Sequence, residues 1–227
     1  MCLLFLVFCD KMCYAVEKQK GGDGVRYLLV IVVAYLLGCS NMALYISKLK
    51  KIDLRDGGSG NLGASNATTL MGWRAGVIVA VHDIGKAVLA VFLAQRFFPA
   101  LPFVGAIAGV SCVLGHIFPF YLKFRGGKGF ASFIGMTLAL NWKLALVIIA
   151  LVLVATVLTD YIVVGTTLSI LSVPTYLGIA EHSIRLALIL CLATVVIAYQ
   201  HRMNYVRIYN GTEIGLRSVM QGKHKVK

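Results

Sequence analysis

Apolar stretches recur along this chain from Tyr27 to Tyr199, joined only by short glycine-rich or charged connections. A water-soluble core cannot bury so many consecutive apolar residues, whereas a bilayer accommodates helices of about 20 such residues each. Composition agrees: 59% of the residues are hydrophobic, 14% are charged, and the mean hydropathy is +0.84. A soluble domain is about 45–50% apolar and about 25% charged. The pattern predicts an all-α, polytopic integral membrane protein with seven transmembrane helices. The expected spans are Tyr27–Ile46, Ala75–Gln95, Leu101–Leu122, a short one at Phe130–Leu140, Leu144–Leu158, Tyr161–Ala180 and Ile184–Tyr199. Pro174 is expected to kink the sixth.

Charge sets the orientation. Lys and Arg outnumber Asp and Glu by 22 to 9. Nucleic acid would explain such an excess in a soluble protein, but here the cations sit between and after apolar runs, as the positive-inside rule requires. The segments after the first, third and last spans hold fourteen cations, against seven on the opposite side. The N-terminus is therefore expected outside and the C-terminus in the cytoplasm, with no nucleic-acid partner. Residues 1–26 read as a poorly ordered extension, 27–214 as one helical bundle and 215–227 as a basic tail. The apolar run Cys2–Cys9 is too short to span, and it lacks the basic flank and cleavage site of a signal peptide. Neither the six cysteines nor the histidines show metal-ligand spacing, so no metal, cofactor or disulfide framework is expected.

Two glycine-rich connections carry the functional signal. The first runs from Asp56 to Asn66 and offers Ser59, Gly60, Asn61, Gly63, Ser65 and Asn66. The second runs from Lys123 to Gly129 and offers Arg125, Gly126, Gly127, Lys128 and Gly129. Closely spaced glycines let backbone N–H groups converge on one point, which suits a phosphate. A single loop of this kind could be a plain connection; two on one side of the membrane argue for a site. In the tail, His201, Asn204 and Arg207 recur at intervals of three and share a face if the last helix continues. His82, Asp83 and Lys86 lie within the second span and read as a structural ion pair with a histidine beside it. No carboxylate accompanies a Ser–His pair, which disfavours a triad hydrolase, and no Gly-x-x-x-x-Gly-Lys-Ser/Thr is present, which disfavours an ATPase. Polar motifs gathered at one face also disfavour a transporter.

Three motif regions, in order, carry a family resemblance: Ser59-Gly60-Asn61-Leu62-Gly63-Ala64-Ser65-Asn66; Gly115-His116-Ile117-Phe118-Pro119 with Lys123–Gly129; and His201-Arg202-x-Asn204 with Gly211-Thr212-Glu213. Over Tyr27–Ile214 the chain resembles the PlsY family, acyl-phosphate:glycerol-3-phosphate acyltransferases of the bacterial inner membrane. The resemblance implies a multi-pass protein of that membrane. It implies transfer of a fatty acyl group from acyl phosphate to the 1-hydroxyl of glycerol 3-phosphate, giving lysophosphatidic acid and phosphate for phospholipid synthesis without cofactor or metal. It implies catalytic roles for Ser59, Lys128, His201 and Asn204. Substrate contacts are implied for Gly60, Asn61, Gly63, Asn66, Thr69, His116, Arg125, Gly126, Gly127 and Gly129. The implied partners are the two substrates, the surrounding lipids, and functional coupling to the enzyme that makes acyl phosphate. One departure stands out: three residues after the matching asparagine the family usually has an arginine, and this chain has Thr69. The alternatives are a paralogue with another polyol-phosphate acceptor, or a non-catalytic lipid-binding or transport protein.

Overall fold

The computed structural model describes residues 22–220. Their regular structure is all helical, with no strand among them: α1 Asp23–Cys39, α2 Met42–Lys50, α3 Ala64–Met71, α4 Trp73–Phe97, α5 Val104–Ile117, a 3-10 turn Phe120–Leu122, α6 Phe130–Leu140, α7 Trp142–Thr159, α8 Ile162–Ala180, α9 Ile184–Tyr209 and α10 Leu216–Met220. Most of the expected N-terminal extension and the end of the basic tail lie outside the described residues.

Among the described residues, six segments are long and apolar enough to cross a bilayer: Asp23–Lys50, Trp73–Phe97, Val104–Leu122, Trp142–Thr159, Ile162–Ala180 and Ile184–Tyr209. The expected short span Phe130–Leu140 has 11 residues. At about 1.5 Å per residue it reaches only about half of the roughly 30 Å hydrocarbon layer.

Three boundaries differ from the hydropathy reading, each for a local reason. The first span begins at Asp23 and breaks at Ser40. Asn41 then caps a new helix, its Oδ1 accepting the Leu44 N–H at 2.9 Å, so side-chain capping competes with helix continuation. Between the first two spans, α3 starts inside the glycine-rich stretch, and Asn66 sits in its first turn. Finally, α9 runs unbroken to Tyr209, so His201, Asn204 and Arg207 do share a helix.

Close packing rests on small residues, as expected where lipid and side chains are equally apolar. A Cβ on Gly38 would stand 2.1 Å from Cys112 O, and one on Gly115 would stand 2.1 Å from Tyr35 O, so α1 and α5 touch through backbone. Gly135 likewise seats α6 against Ile84 of α4. Fully buried Phe133, Met136, Val113, Ile117, Leu190 and Ile197 fill the space between α5, α6 and α9. Pro174 lies within a continuous α8. Its missing N–H frees the Ile170 carbonyl four residues earlier, and Thr194 Oγ1 of α9 donates to that carbonyl at 2.7 Å.

The connections that matter gather at one end of the bundle. Leu122 packs into the cluster formed by Leu54, Leu62, Ala67 and Val79, which ties the second glycine loop to the first. The α7–α8 turn holds the tail: Asp160 O accepts the Leu216 N–H at 2.8 Å, and Asp160 Oδ1 accepts the Arg217 N–H at 2.7 Å.

Candidate active site

The first loop is built around Asn66. Its Nδ2 donates to Leu54 O at 2.7 Å and to Gly57 O at 3.3 Å, and its Oδ1 accepts the Ser59 N–H at 2.9 Å. Gly58 has φ +58°, and a Cβ there would lie 2.2 Å from Asn66 Oδ1. Leu54 and Leu62 are buried pegs on either side. Asn66 therefore shapes the loop, and its amide groups are committed to backbone. Ser59 and Gly60 are left exposed, and Asn61 is half-buried. Beside them, Arg55 donates twice to the Asp53 carboxylate, at 3.0 and 2.8 Å, and holds that carboxyl down to about 2. Thr69 Oγ1 donates back to Ser65 O at 3.1 Å, so its hydroxyl proton is spent within α3.

The second loop folds back onto the end of α5. The Gly126 N–H donates to Ile117 O at 2.9 Å and the Gly127 N–H to His116 O at 3.1 Å. A Cβ on Gly126 would stand 2.1 Å from His116 O, and one on Gly127 would stand 1.9 Å from His116 Nε2. Neither position has room for a side chain. A phosphate cradle built from these glycines requires the two N–H groups to face a ligand; they face α5 instead. Lys128 Nζ crosses to the tail and donates to Asn204 Oδ1 at 2.6 Å. Arg125 is exposed and makes no ion pair or side-chain hydrogen bond among the described residues.

On α9 the Asn204 amide is held from both sides. Its Nδ2 donates to Glu213 Oε1 at 2.5 Å, and the other Glu213 oxygen accepts Arg207 Nε at 2.6 Å. Gly211, with φ +67°, turns the chain so that Glu213 comes back to this position. Burial and the neighbouring Arg207 guanidinium lower the Lys128 ammonium to about 8, while Glu213 opposes them. His201 is buried, and its Nδ1–H donates to Ile197 O at 2.9 Å, so in the neutral ring Nε2 carries the lone pair. The expected site residues thus fall into two groups. Lys128, Asn204 and the His201-bearing helix come together directly. Ser59, Gly60, Asn61, Gly63 and Thr69 lie on the adjoining loop, with no side-chain bond to Lys128 or His201 among the described residues. Glu213 was outside the expected contact set, although the Gly211-Thr212-Glu213 motif had singled it out.

His116 is 3% exposed and belongs to a buried polar cluster. Lys86 Nζ lies 2.8 Å from Asp83 Oδ1, 2.7 Å from Ser40 O and 2.8 Å from His116 Nδ1. The ion pair expected on the second span is therefore present, and it extends to α5 and to the break in the first span. No group of three His, Cys, Asp or Glu side chains among the described residues is placed to hold a metal ion. Cationic, amide and imidazole groups converging beside a glycine loop can hold a phosphoryl group and stabilise charge that develops during acyl transfer.

The family profile described as glycerol-3-phosphate acyltransferase matches residues 28–211. The glycerol-3-phosphate acyltransferase 1 of Oceanobacillus iheyensis is 35% identical over 208 residues, which covers 87% of this chain and 98% of that protein. The glycerol-3-phosphate acyltransferase of Photobacterium profundum is 36% identical over 203 residues, with 88% and 98% covered. The crystal structure of PlsY, an integral membrane glycerol 3-phosphate acyltransferase, in its glycerol 3-phosphate form, superposes with a TM-score of 0.80 at 30% identity, covering 86% of this chain and 98% of that one. Its lysophosphatidic acid form gives 0.77. The chain belongs to the glycerol-3-phosphate acyltransferase family and is a membrane acyltransferase of that family.

Proposed function

We propose that the protein moves a fatty acyl group from acyl phosphate to the 1-hydroxyl of glycerol 3-phosphate. The hydroxyl oxygen attacks the acyl carbon, the bond from that carbon to the phosphate oxygen breaks, and the hydroxyl proton leaves on the departing phosphate. The bond between Lys128 and Asn204 carries this reading, because it joins the glycine loop to the tail at one point. Lys128 neutralises donor phosphate oxygens. His201 Nε2, which carries the lone pair, and Asn204 position the acceptor hydroxyl, and Ser59 with its loop completes the binding of the phosphates. Lysophosphatidic acid and phosphate should appear in equal amounts when the purified protein receives both substrates. No product with acyl phosphate and glycerol 3-phosphate would refute the reading.

The glycine loops and the tail then face the cytoplasm of a bacterium, at its inner membrane, with the N-terminus outside. The short α6 serves as the seventh crossing, with the second loop dipping into the hydrocarbon layer to supply the depth that its 11 residues lack. A cysteine placed at position 58 should stay unlabelled by an impermeant reagent in sealed cells. A second acceptor reading has its own observation: Thr69 offers no cation. Of the arginines near the site, Arg207 is bonded to Glu213 and Arg202 stacks over Tyr199 at 4.0 Å, which leaves Arg125 to grip the acceptor phosphate. If Arg125 does not, an acceptor with less negative charge should react better. Functional coupling to the enzyme that makes acyl phosphate completes the proposal.

A further inference from the structure

The buried cluster on α4 has no part in the chemistry above, yet it ends against the glycine loop. An ammonium has three protons and no lone pair. Lys86 has three acceptors at bonding distance: Asp83 Oδ1, Ser40 O and His116 Nδ1. His116 Nδ1 must therefore accept, and the ring proton sits on Nε2. Asp83 Oδ1 lies 3.4 Å from the same Nδ1, beyond the usual N–H···O range of about 2.7–3.2 Å. That distance fits two acceptors sharing one ammonium. His201 has the opposite arrangement, with its proton on Nδ1.

Nε2–H of His116 stands against Gly127, at the place a Cβ would fill. No protein acceptor meets it among the described residues. Ser132 Oγ is the one fully enclosed side-chain polar atom without a partner among those residues, so His116 Nε2 is not fully enclosed. The Gly126 and Gly127 N–H groups are turned toward α5. The loop therefore lacks two of the donors that its glycines suggest, and a buried imidazole N–H stands beside it.

We propose that Lys86, anchored by Asp83, is a positioning residue that locks His116 in its Nε2–H tautomer, and that this N–H binds a phosphoryl oxygen held in the Gly126–Gly129 loop. The inference rests on the phosphate-binding reading of that loop. It gives the intramembrane ion pair a task in substrate binding, transmitted across about one side chain.

Two glutamine-family replacements separate this role from a structural one. A glutamine amide nitrogen reaches about as far as Nε2, whereas an asparagine amide matches Nδ1. His116→Gln should keep kcat/KM for acyl phosphate within about threefold of wild type, and His116→Asn should lose about tenfold or more, chiefly in KM. If His116 only plugs the cluster, His116→Asn, which can still accept from Lys86, should be the better enzyme, and that ordering would overturn the proposal. Should either variant misfold, nitrogen NMR of histidine-labelled wild type decides. The His116 signals should report protonated Nε2, move on titration with inorganic phosphate, and lose the fixed tautomer in the paired variant Asp83→Asn/Lys86→Met. A protonated Nδ1, or no response to phosphate, refutes the inference. Absence of acyl transfer by wild type with the tautomer and phosphate response intact would instead sink the proposed reaction.

Discussion

Replacing Lys128 with methionine removes the ammonium and keeps most of the apolar stem. In the structure that ammonium donates to Asn204 Oδ1 at 2.6 Å and stands beside the Arg207–Glu213 pair. A charge-assisted hydrogen bond contributes about 1.5–3 kcal/mol, which is about 10-fold to 150-fold in kcat/KM. The pH profile tests the same residue more sharply. With the ammonium lowered to about 8, Lys128 is charged below that value and neutral above it. In the free enzyme, kcat/KM should fall about tenfold by about pH 9, where an unperturbed lysine would still be almost fully charged. Bound phosphate favours the charged form, so the corresponding limb of kcat should lie at higher pH than that of kcat/KM. Initial rates of lysophosphatidic acid formation in detergent or vesicles, corrected for spontaneous acyl-phosphate hydrolysis, provide the assay. Two results would refute the reasoning: an alkaline limb that survives in Lys128→Met, or a wild-type profile flat to about pH 10.

Thr69→Arg restores a bidentate, permanently charged group on the exposed side of α3 and should lower KM for glycerol 3-phosphate several-fold; loss of activity with that acceptor, where wild type works well, would mean a rebuilt pocket. Gly127→Ala brings a methyl group within 1.9 Å of His116 Nε2, so the loop must shift; acyl transfer should drop about tenfold or more while the protein elutes as wild type on size exclusion. Thr194→Val leaves the carbonyl freed by Pro174 unpaired inside the bundle, which should cost about 1–3 kcal/mol, read as a lower midpoint in detergent thermal unfolding with little change in kcat.

Hydropathy made the spans legible because a membrane helix writes its own length into the chain. The break at Ser40–Asn41 was hidden, since the apolar run crosses it, and the Asn41 cap, the Lys86 ammonium from α4 and the Tyr121 hydroxyl that make it tolerable come from side chains the run does not reveal. In the tail, His201 and Asn204 could be read from their interval of three, because one helix supplies both. Glu213 could be quoted as part of a motif but not given a function, because its partners meet it only after the Gly211 turn. The glycine loops were legible as loops, but the direction of their N–H groups was not. Whether Gly126 faces a ligand or Ile117 depends on the end of α5, which spacing within the loop cannot encode.

The attachment of the tail to the α7–α8 turn separates two events in the making of this protein. All six bilayer-length segments among the described residues precede Glu213 in the chain, so the chain needs nothing from position 213 onward to carry every segment that inserts. Asp160, emplaced with the α7–α8 turn, waits for Leu216 and Arg217, and their arrival seats the residues that brace Asn204 and Arg207. The helices alone yield a bundle, and the bracing of Asn204 depends on a short folding step of the tail. A chain cut just short of position 213 would thus keep all six of these segments, while its Lys128–Asn204 contact has no carboxylate behind it. Biogenesis checks that sense only hydrophobic segments would pass it.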